Sequence, residues 1–190
     1  MKHIITLLAI TIASFILSSK VYGQTSYGNY VMFPDTGLVG SMWKPRMNFC
    51  NTDGETILVI RSVAPDTYYS FSDDSRVLLR FADSTVVKLP IIPWLDVQKD
   101  FKIQHYSSSS YVDNYITYSF FEIDEDTLNK ILIDKTPIIK VRIAYANGTV
   151  RDYEIKKSYQ YRFIQNLCES HQKAIDENLI RQTNESDENF

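Results

Sequence analysis

This chain of 190 residues has two cysteines, Cys50 and Cys168, whose thiols could form a disulfide or act as nucleophiles. Two cysteines allow one disulfide, which would join the N-terminal part of the chain to its C-terminal part. On the chain-entropy model, a bridge across so long a loop stabilises the fold by roughly 4–5 kcal/mol. The alternative is a pair of buried thiols, and the sequence leaves both possibilities open.

Cys168 also precedes His171 at a spacing that places both side chains on one face of a helix. A thiol beside an imidazole is the arrangement of a nucleophilic cysteine and its base. Both residues fall on a stripe that the hydrophobic pattern predicts to be buried. We therefore interpret Cys168 as a packing residue and His171 as a histidine hydrogen-bonded in the core.

The string Asp35-Thr36-Gly37 resembles the core motif of aspartic proteases, in which two such carboxylates share a proton. Pro34 stands where that family has an apolar strand residue. The string occurs once, so an active site would need a homodimer, as in retroviral proteases. Because proline, aspartate and glycine in this order are also typical of a turn, we favour the turn.

The sequence predicts no metal site and no cofactor. The acidic clusters at 73–74 and 124–126 lack the spacing of a calcium loop. The chain has no Walker loop, no Gly-x-Ser-x-Gly and no His-Glu-x-x-His motif. A hydrolase would therefore need an unrecognised site, built from paired carboxylates or from a serine near His105 or His171.

The remaining candidate is an aromatic surface, since the chain has 13 tyrosines. Trp94 follows a proline-containing segment at 90–93, and the serines at 107–110 are flanked by Tyr106 and Tyr111. Aromatic side chains held on loops could bind a glycan or a peptide. In the alternative interpretation, Trp94 closes one end of the core and the serines form a flexible loop.

Several strands are predicted to position these residues, from apolar and β-branched patterns at 27–33, 47–52, 56–63 and 114–123. Residues 76–81 and 85–89 read as a hairpin. Pairing around Ala82-Asp83-Ser84 sets Val77 opposite Leu89 and Leu79 opposite Val87, so one face stays apolar.

A second hairpin follows Ile138. A two-residue turn at Asn147-Gly148 would set apolar residues opposite acids, whereas a three-residue loop with Gly148 left-handed pairs apolar residues with apolar ones and basic residues with acidic ones. We predict the longer loop, which gives these cross-strand pairs: Ile139 with Ile155, Lys140 with Glu154, Val141 with Tyr153 and Arg142 with Asp152.

Two helices are predicted among these strands. Asp124 can cap a short helix, which Pro137 stops. A long helix begins at Ser158 and ends at about Gln182, with one apolar stripe through Ile164, Leu167, Cys168, His171, Ile175 and Leu179. The expected fold is α+β, a mainly antiparallel sheet with one short helix and the long C-terminal helix packed on one face.

The N-terminus reads as an export signal. A basic start is followed by an apolar run from Ile4 to Leu17, and residues 21–23 suit a signal peptidase. The run is about 14 residues, shorter than the roughly 20 that span a bilayer as a helix. We therefore expect a signal peptide at 1–23, one globular domain at 24–182 and a flexible acidic tail at 183–190. This predicts a periplasmic or extracellular protein with no membrane span after cleavage.

The charge excludes one class of partner. The chain has a formal net charge of −3 and no basic cluster in its sequence. Neutralisation of phosphates supplies most of the affinity of nucleic-acid binding, so we expect no nucleic-acid partner.

From Tyr115 to Ile175, the order of elements is similar to that of small exported proteins of Bacteroides-type bacteria, which are mostly uncharacterised. The residues that carry the resemblance are Phe120-Phe121-Glu122-Ile123, Leu128 to Leu132, Ile138 to Ile143 and Tyr153-Glu154-Ile155. These motifs are structural. The resemblance therefore implies an exported compartment and no particular activity.

The hypothesis from the sequence is a secreted or periplasmic, non-catalytic binding or accessory protein with an aromatic surface. Its ligand would be a glycan, a peptide or a protein partner. The alternatives are the hydrolase with an unrecognised site and a structural subunit of an envelope assembly that associates through the long helix.

Overall fold

The computed structural model describes residues 25–33, 45–52, 54–65, 71–72, 74–92, 99–107 and 110–188. The predicted signal peptide, the Asp35-Thr36-Gly37 string and Trp94 lie outside these residues. None of the helices within these residues combines the length and the apolar character that a membrane span requires.

One antiparallel sheet, sheet 1, has six strands in the order β1-β3-β4-β8-β7, and β2 also pairs with β3. Long runs of β-branched and aromatic residues favour these strands. Their bounds are β1 (Thr25–Tyr27), β2 (Val31–Met32), β3 (Arg46–Thr52), β4 (Glu55–Pro65), β7 (Lys99–Ser107) and β8 (Ser110–Glu122).

The second antiparallel sheet, sheet 2, has the order β10-β9-β5-β6. It consists of two hairpins, β5 (Arg76–Phe81) with β6 (Val86–Pro90), and β9 (Ile138–Ala144) with β10 (Val150–Glu154). The predicted pairing of the first hairpin is confirmed, since Val77 lies opposite Leu89 and Leu79 opposite Val87.

The three-residue loop of the second hairpin is also confirmed. Val141 lies opposite Tyr153 and Arg142 opposite Asp152, and Gly148 is left-handed with φ +80°. The first hairpin uses the same loop geometry, with Ser84 at the left-handed position (φ 71°). Glycine adopts that conformation at little steric cost, whereas a serine there carries some backbone strain.

Helix α1 (Glu125–Leu132) has the predicted cap, because the Asp124 carboxylate accepts a hydrogen bond from the Thr127 backbone N–H at 2.6 Å. Lys130 of this helix donates to Asp83 in the turn between β5 and β6. The same ammonium lies 5.4 Å from the centre of the Phe81 ring. These contacts, together with buried Ile131, fix α1 on the end of sheet 2.

The main core lies between the inner faces of the two sheets. Alternate residues of each strand point inward, so Phe49, Leu58 and Phe121 of sheet 1 share one buried cluster with Leu79 and Val141 of sheet 2. The sheets are joined along one side where Ile91 bridges to Phe121. The α+β class is confirmed. The strands that the sequence predicted to form one sheet form two separate sheets.

The long helix α2 (Lys157–Glu188) closes the other side of the core. Its first half buries Phe163, Ile164 and Leu167 in the main cluster. Its second half then buries a row of small or polar residues, Ser170, Ala174 and Asn178, against β1 and β3. The helix continues to Glu188, beyond the end predicted at about Gln182, and the flexibility of the tail at 183–190 stays a prediction.

The predicted apolar stripe was wrong in the second half of this helix. Leu179 is 56% exposed, and the buried positions are instead those spaced by four from Ser170. The physical reason is the closeness of the helix to β1. The Phe49 backbone N–H donates to the Ser170 hydroxyl at 3.2 Å, and the Ser26 hydroxyl donates to the Ala174 carbonyl, which leaves room for small side chains only.

Gly28, which follows β1, lies against the backbone of the long helix. A Cβ atom at this position would lie 1.9 Å from the backbone oxygen of Ser170. We expect Gly28→Ala to lower the free energy of unfolding by about 2–3 kcal/mol, because the helix must move away from the strand. Urea denaturation measures this loss.

Gly54→Ala is the matched control, since it adds the same methyl group where no atom lies within 4 Å. Gly54 has φ +86°, so this substitution carries only backbone strain of about 1–2 kcal/mol. If Gly28→Ala destabilised the protein no more than Gly54→Ala does, the close approach would be wrong.

Candidate binding site

The structure places only part of the aromatic surface that the sequence predicted. Trp94 lies outside the described residues. Tyr106 is in β7 and Tyr111 is in β8, both next to the turn of this hairpin, where Tyr111 pairs with His105. Their backbones thus come together at one end of sheet 1, and binding by Trp94, Tyr106 and Tyr111 remains a prediction.

The two cysteines are free thiols and lie on different sides of sheet 1. Cys50 belongs to a small buried cluster on the outer face of the sheet, with Ile57, Val59 and Phe120. Cys168 packs against the main core, and its sulfur lies 3.6 Å from the carbonyl oxygen of Ile131. The disulfide left open by the sequence is therefore not formed in this structure.

Neither cysteine has the surroundings of a nucleophile. Burial raises the pKa of the Cys50 thiol to about 12 and also raises the pKa of Cys168 above its usual 9.0. Burial lowers the pKa of His171, whose ring packs on Phe49 and whose Nε2 lies 3.2 Å from the Thr56 hydroxyl. His171 is a neutral, hydrogen-bonded histidine, in agreement with the structural interpretation of its sequence.

A different group of side chains forms the candidate site, on the outer face of sheet 1. Arg46, Arg61 and Tyr118 are directly opposite one another across β3, β4 and β8. Met32 of β2 pairs with Arg46 and extends this row. We call the group the Tyr–Arg patch, and its members are Tyr27, Tyr30, Met32, Arg46, Arg61 and Tyr118.

Arg61 holds the patch together. Its Nε donates to the Tyr118 hydroxyl at 3.3 Å, and its guanidinium carbon lies 6.0 Å from the centre of the Tyr30 ring. The second contact is within the range of a cation–π interaction. Tyr27, Tyr30 and Met32 are each 40–45% exposed, so the patch combines a fixed arginine with aromatic and thioether groups that solvent reaches.

Tyr27 and Tyr30 of the patch stay protonated at neutral pH. Burial and the neighbouring Tyr118 phenol, which shares a hydrogen bond with Tyr30, raise the pKa of Tyr30. Burial is also the main cause of the raised pKa of Tyr27, and Cys50 and Tyr118 add to it. The phenols therefore contribute ring faces and hydroxyl groups rather than negative charge.

The two arginines give the patch its electrostatic character. Directly opposed side chains have Cβ atoms about 4.5–5.5 Å apart, and like charges at that distance destabilise a sheet. No carboxylate of the described residues forms an ion pair with Arg46 or Arg61. Among the described residues, the buried Nε atom of Arg46 and the buried Oδ1 atom of Asn48 also have no hydrogen-bond partner.

This arrangement suits binding better than catalysis. Arginine binds carboxylates through two parallel hydrogen bonds, and the tyrosine hydroxyls add neutral donors. The patch has no nucleophile with a lowered pKa, and the described residues contain no group of three side chains that could hold a metal ion. The patch thus presents hydrogen-bond donors that an anionic group can accept, beside aromatic and thioether side chains.

The patch and the predicted aromatics are separate along β8. A strand rises about 3.3 Å per residue, which puts Tyr111 on the order of 23 Å from Tyr118. The sequence contained one local sign of the patch, an arginine at position 61 inside an apolar strand. Its partners Arg46 and Tyr118 reach it only through strand pairing, which the sequence did not reveal.

Titration of the thiols tests whether Cys50 and Cys168 are both free. Protein prepared without reductant and then unfolded in guanidinium should show two titratable thiols per chain, and Cys168→Ser should show one. In the native state both should react slowly, because their raised pKa values leave little thiolate at neutral pH. An unfolded, unreduced chain with no titratable thiol would contradict the free cysteines.

Comparison of the chain with protein-family models, with curated proteins and with solved structures found no match. Therefore no relative indicates which residues of this chain are functional or what they bind.

Proposed function

We propose that this protein is an exported, non-catalytic binding protein that holds an acidic segment of a protein partner on the Tyr–Arg patch. One observation carries the proposal. Arg46 and Arg61 lie directly opposite each other beside exposed tyrosines, and no described carboxylate neutralises them. An aspartate or glutamate of a partner would supply the missing negative charge.

The composition of the patch supports a protein partner. Tyrosine, arginine and methionine are enriched in the centres of protein interfaces, whereas lysine, aspartate and glutamate are depleted there. The patch consists of the first three residue types only. Tyrosine and arginine are also among the residues whose removal costs most binding energy.

Arg61 favours a peptide over a sugar at this position. A glycan binds tyrosine by lying flat on the ring, but the guanidinium of Arg61 already lies over the Tyr30 ring. The ring edges and hydroxyl groups remain, and these suit a backbone carbonyl or a carboxylate. A glycan at Trp94, Tyr106 and Tyr111 is a separate hypothesis about the other end of the sheet.

The long helix is less suited to be the binding surface of an envelope assembly. Its apolar residues Phe163, Ile164 and Leu167 are all buried in the chain's own core. Among its residues up to 181, the exposed large hydrophobic ones lie in two separate places, Tyr159 and Tyr161 near the start and Leu179 and Ile180 towards the other end. We therefore prefer the patch to the helix as the site of partner binding.

A selection of phage-displayed random peptides on the protein would test the patch. Enriched peptides should contain acidic residues beside aromatic or aliphatic ones. Calorimetry with one such peptide should show binding at least about tenfold weaker for Arg61→Gln, because a charge-assisted hydrogen bond is lost. Tyr118→Phe should weaken it less, since it removes hydrogen bonds of the hydroxyl to Arg61 and Tyr30 and leaves the charge of the patch in place.

Arg162→Gln provides the control, because it removes an exposed arginine from α2 and leaves the patch intact. Circular dichroism would show that each variant is folded. Peptide binding that is unchanged in folded Arg61→Gln would contradict the proposal. A glycan whose binding is lost in the same variant would replace the peptide as the ligand.

The exported location has its own test. Expression of the full chain in a Gram-negative host should yield, outside the cytoplasm, a protein that begins at Gln24, as N-terminal sequencing would show. Leu8→Arg should block export, because a charge interrupts the apolar run, while Leu8→Val should not. A wild-type protein that keeps Met1 in the cytoplasm would show that the signal is wrong.

A further inference from the structure

The outer face of sheet 2 carries an excess of positive charge, although the whole chain is acidic. Because alternate residues share a face, the register of the four strands brings five basic side chains together. They are Arg76, Arg80, Lys88, Lys140 and Arg142. Asp152 and Glu154 are the acids on the same face. We call this surface the basic face.

Leu78 lies at the centre of the basic face. Arg76 and Arg80 flank it along β5, each about 6.6 Å away along the strand. Lys88 of β6 and Arg142 of β9 flank it across the sheet, directly opposite it on either side. One apolar side chain is thus surrounded by four cations within two strand spacings.

The acids of the face neutralise only one side of it. Asp152 forms ion pairs with Arg142 at 2.6 Å and with Lys140 at 2.9 Å, and Glu154 lies 3.7 Å from Lys140. No carboxylate of the described residues pairs with Arg76, Arg80 or Lys88. Like charges are also opposed, since Arg80 lies directly opposite Lys140. An external anion would relieve this repulsion.

The face contains a shallow groove with a volume of about 190 Å³. Leu78 and Val86 supply apolar surface in it, and Arg80, Lys140 and Arg142 supply charge. A chain of sugars has the matching pattern, because its rings present C–H groups and its acid groups point to the sides. A bilayer surface, by contrast, is too broad to enter such a groove.

We propose that the basic face binds a linear acidic polysaccharide, whose carboxylate or sulfate groups lie between the cations that surround Leu78. The described positions of this face include no aromatic residue, which argues against a protein partner, since interface centres are rich in aromatics. Their one long aliphatic side chain is the half-buried Leu78, which is far less than the apolar face that inserts into a membrane. Of these three kinds of partner, a polyanion is the one whose charge complements the basic face.

This site is distinct from the Tyr–Arg patch, which lies on the other sheet. The two together describe an accessory protein that holds a protein partner on one side and an acidic polysaccharide on the other. Because no residue belongs to both sites, an experiment can disprove binding at one of them and leave the other unaffected.

The test uses polygalacturonate as the acidic probe and dextran as the neutral one, with binding measured by biolayer interferometry at low salt. The wild-type protein should bind polygalacturonate and not dextran, and affinity should fall with rising salt because counterions compete. Arg80→Gln combined with Lys88→Gln should weaken binding about tenfold or more and reduce the salt dependence. Asp152→Asn should strengthen binding several-fold, because it frees two cations.

The matched control is Lys157→Gln combined with Arg162→Gln, which removes the same charge from exposed positions of α2. An equal loss of polygalacturonate binding in this control would show that the effect depends only on net charge. That result would overturn the proposal. Unchanged binding in folded Arg80→Gln/Lys88→Gln, or preference for phosphatidylglycerol vesicles over polygalacturonate, would also overturn it. Arg61→Gln should weaken polygalacturonate binding far less than Arg80→Gln/Lys88→Gln does, which separates this site from the Tyr–Arg patch.

Discussion

The contact between Gly28 and Ser170 is the constraint on which the rest of the structure depends. At this point the backbone of the long helix approaches the strand region so closely that a methyl group would not fit. The Gly28 N–H also donates to the Phe49 carbonyl at 2.8 Å, and the Ser170 hydroxyl accepts from the Phe49 N–H. One short region of chain therefore fixes β1, β3 and α2 relative to one another.

This contact also governs the candidate binding site. Gly28 lies in the chain between Tyr27 and Tyr30, so the docking of the helix on the inner side of sheet 1 sets where both tyrosines stand on the outer side. Arg61 and Tyr118 come to the same place through the pairing of β4 with β8. The patch thus depends on the core, although it shares no residue with the main buried cluster. A change that shifts the helix should therefore affect binding as well as stability.

The two outer faces differ in a way that suggests different tasks. On sheet 1, aromatic side chains surround two arginines, and interactions of this kind depend on shape and on short-range contacts. On sheet 2, five cations share the outer face with Leu78, its described positions include no aromatic residue, and a surface of this kind acts mainly through long-range electrostatics. The acid–base pairs of the β9–β10 hairpin stabilise its register and at the same time limit the charge of this face on one side.

The sequence by itself determined the local elements. The registers of both hairpins, the left-handed Gly148 and the Asp124 cap follow from interactions within short segments, where turn geometry and pairing of neighbouring residues leave few alternatives. The tertiary structure alone decided how the strands divide into two sheets and which side of α2 is buried after Ser170. It also brought Arg61 to Tyr118, 57 residues away. Those outcomes depend on the packing of distant segments, whose many small contributions no local pattern encodes, and so the candidate site emerged only from the fold.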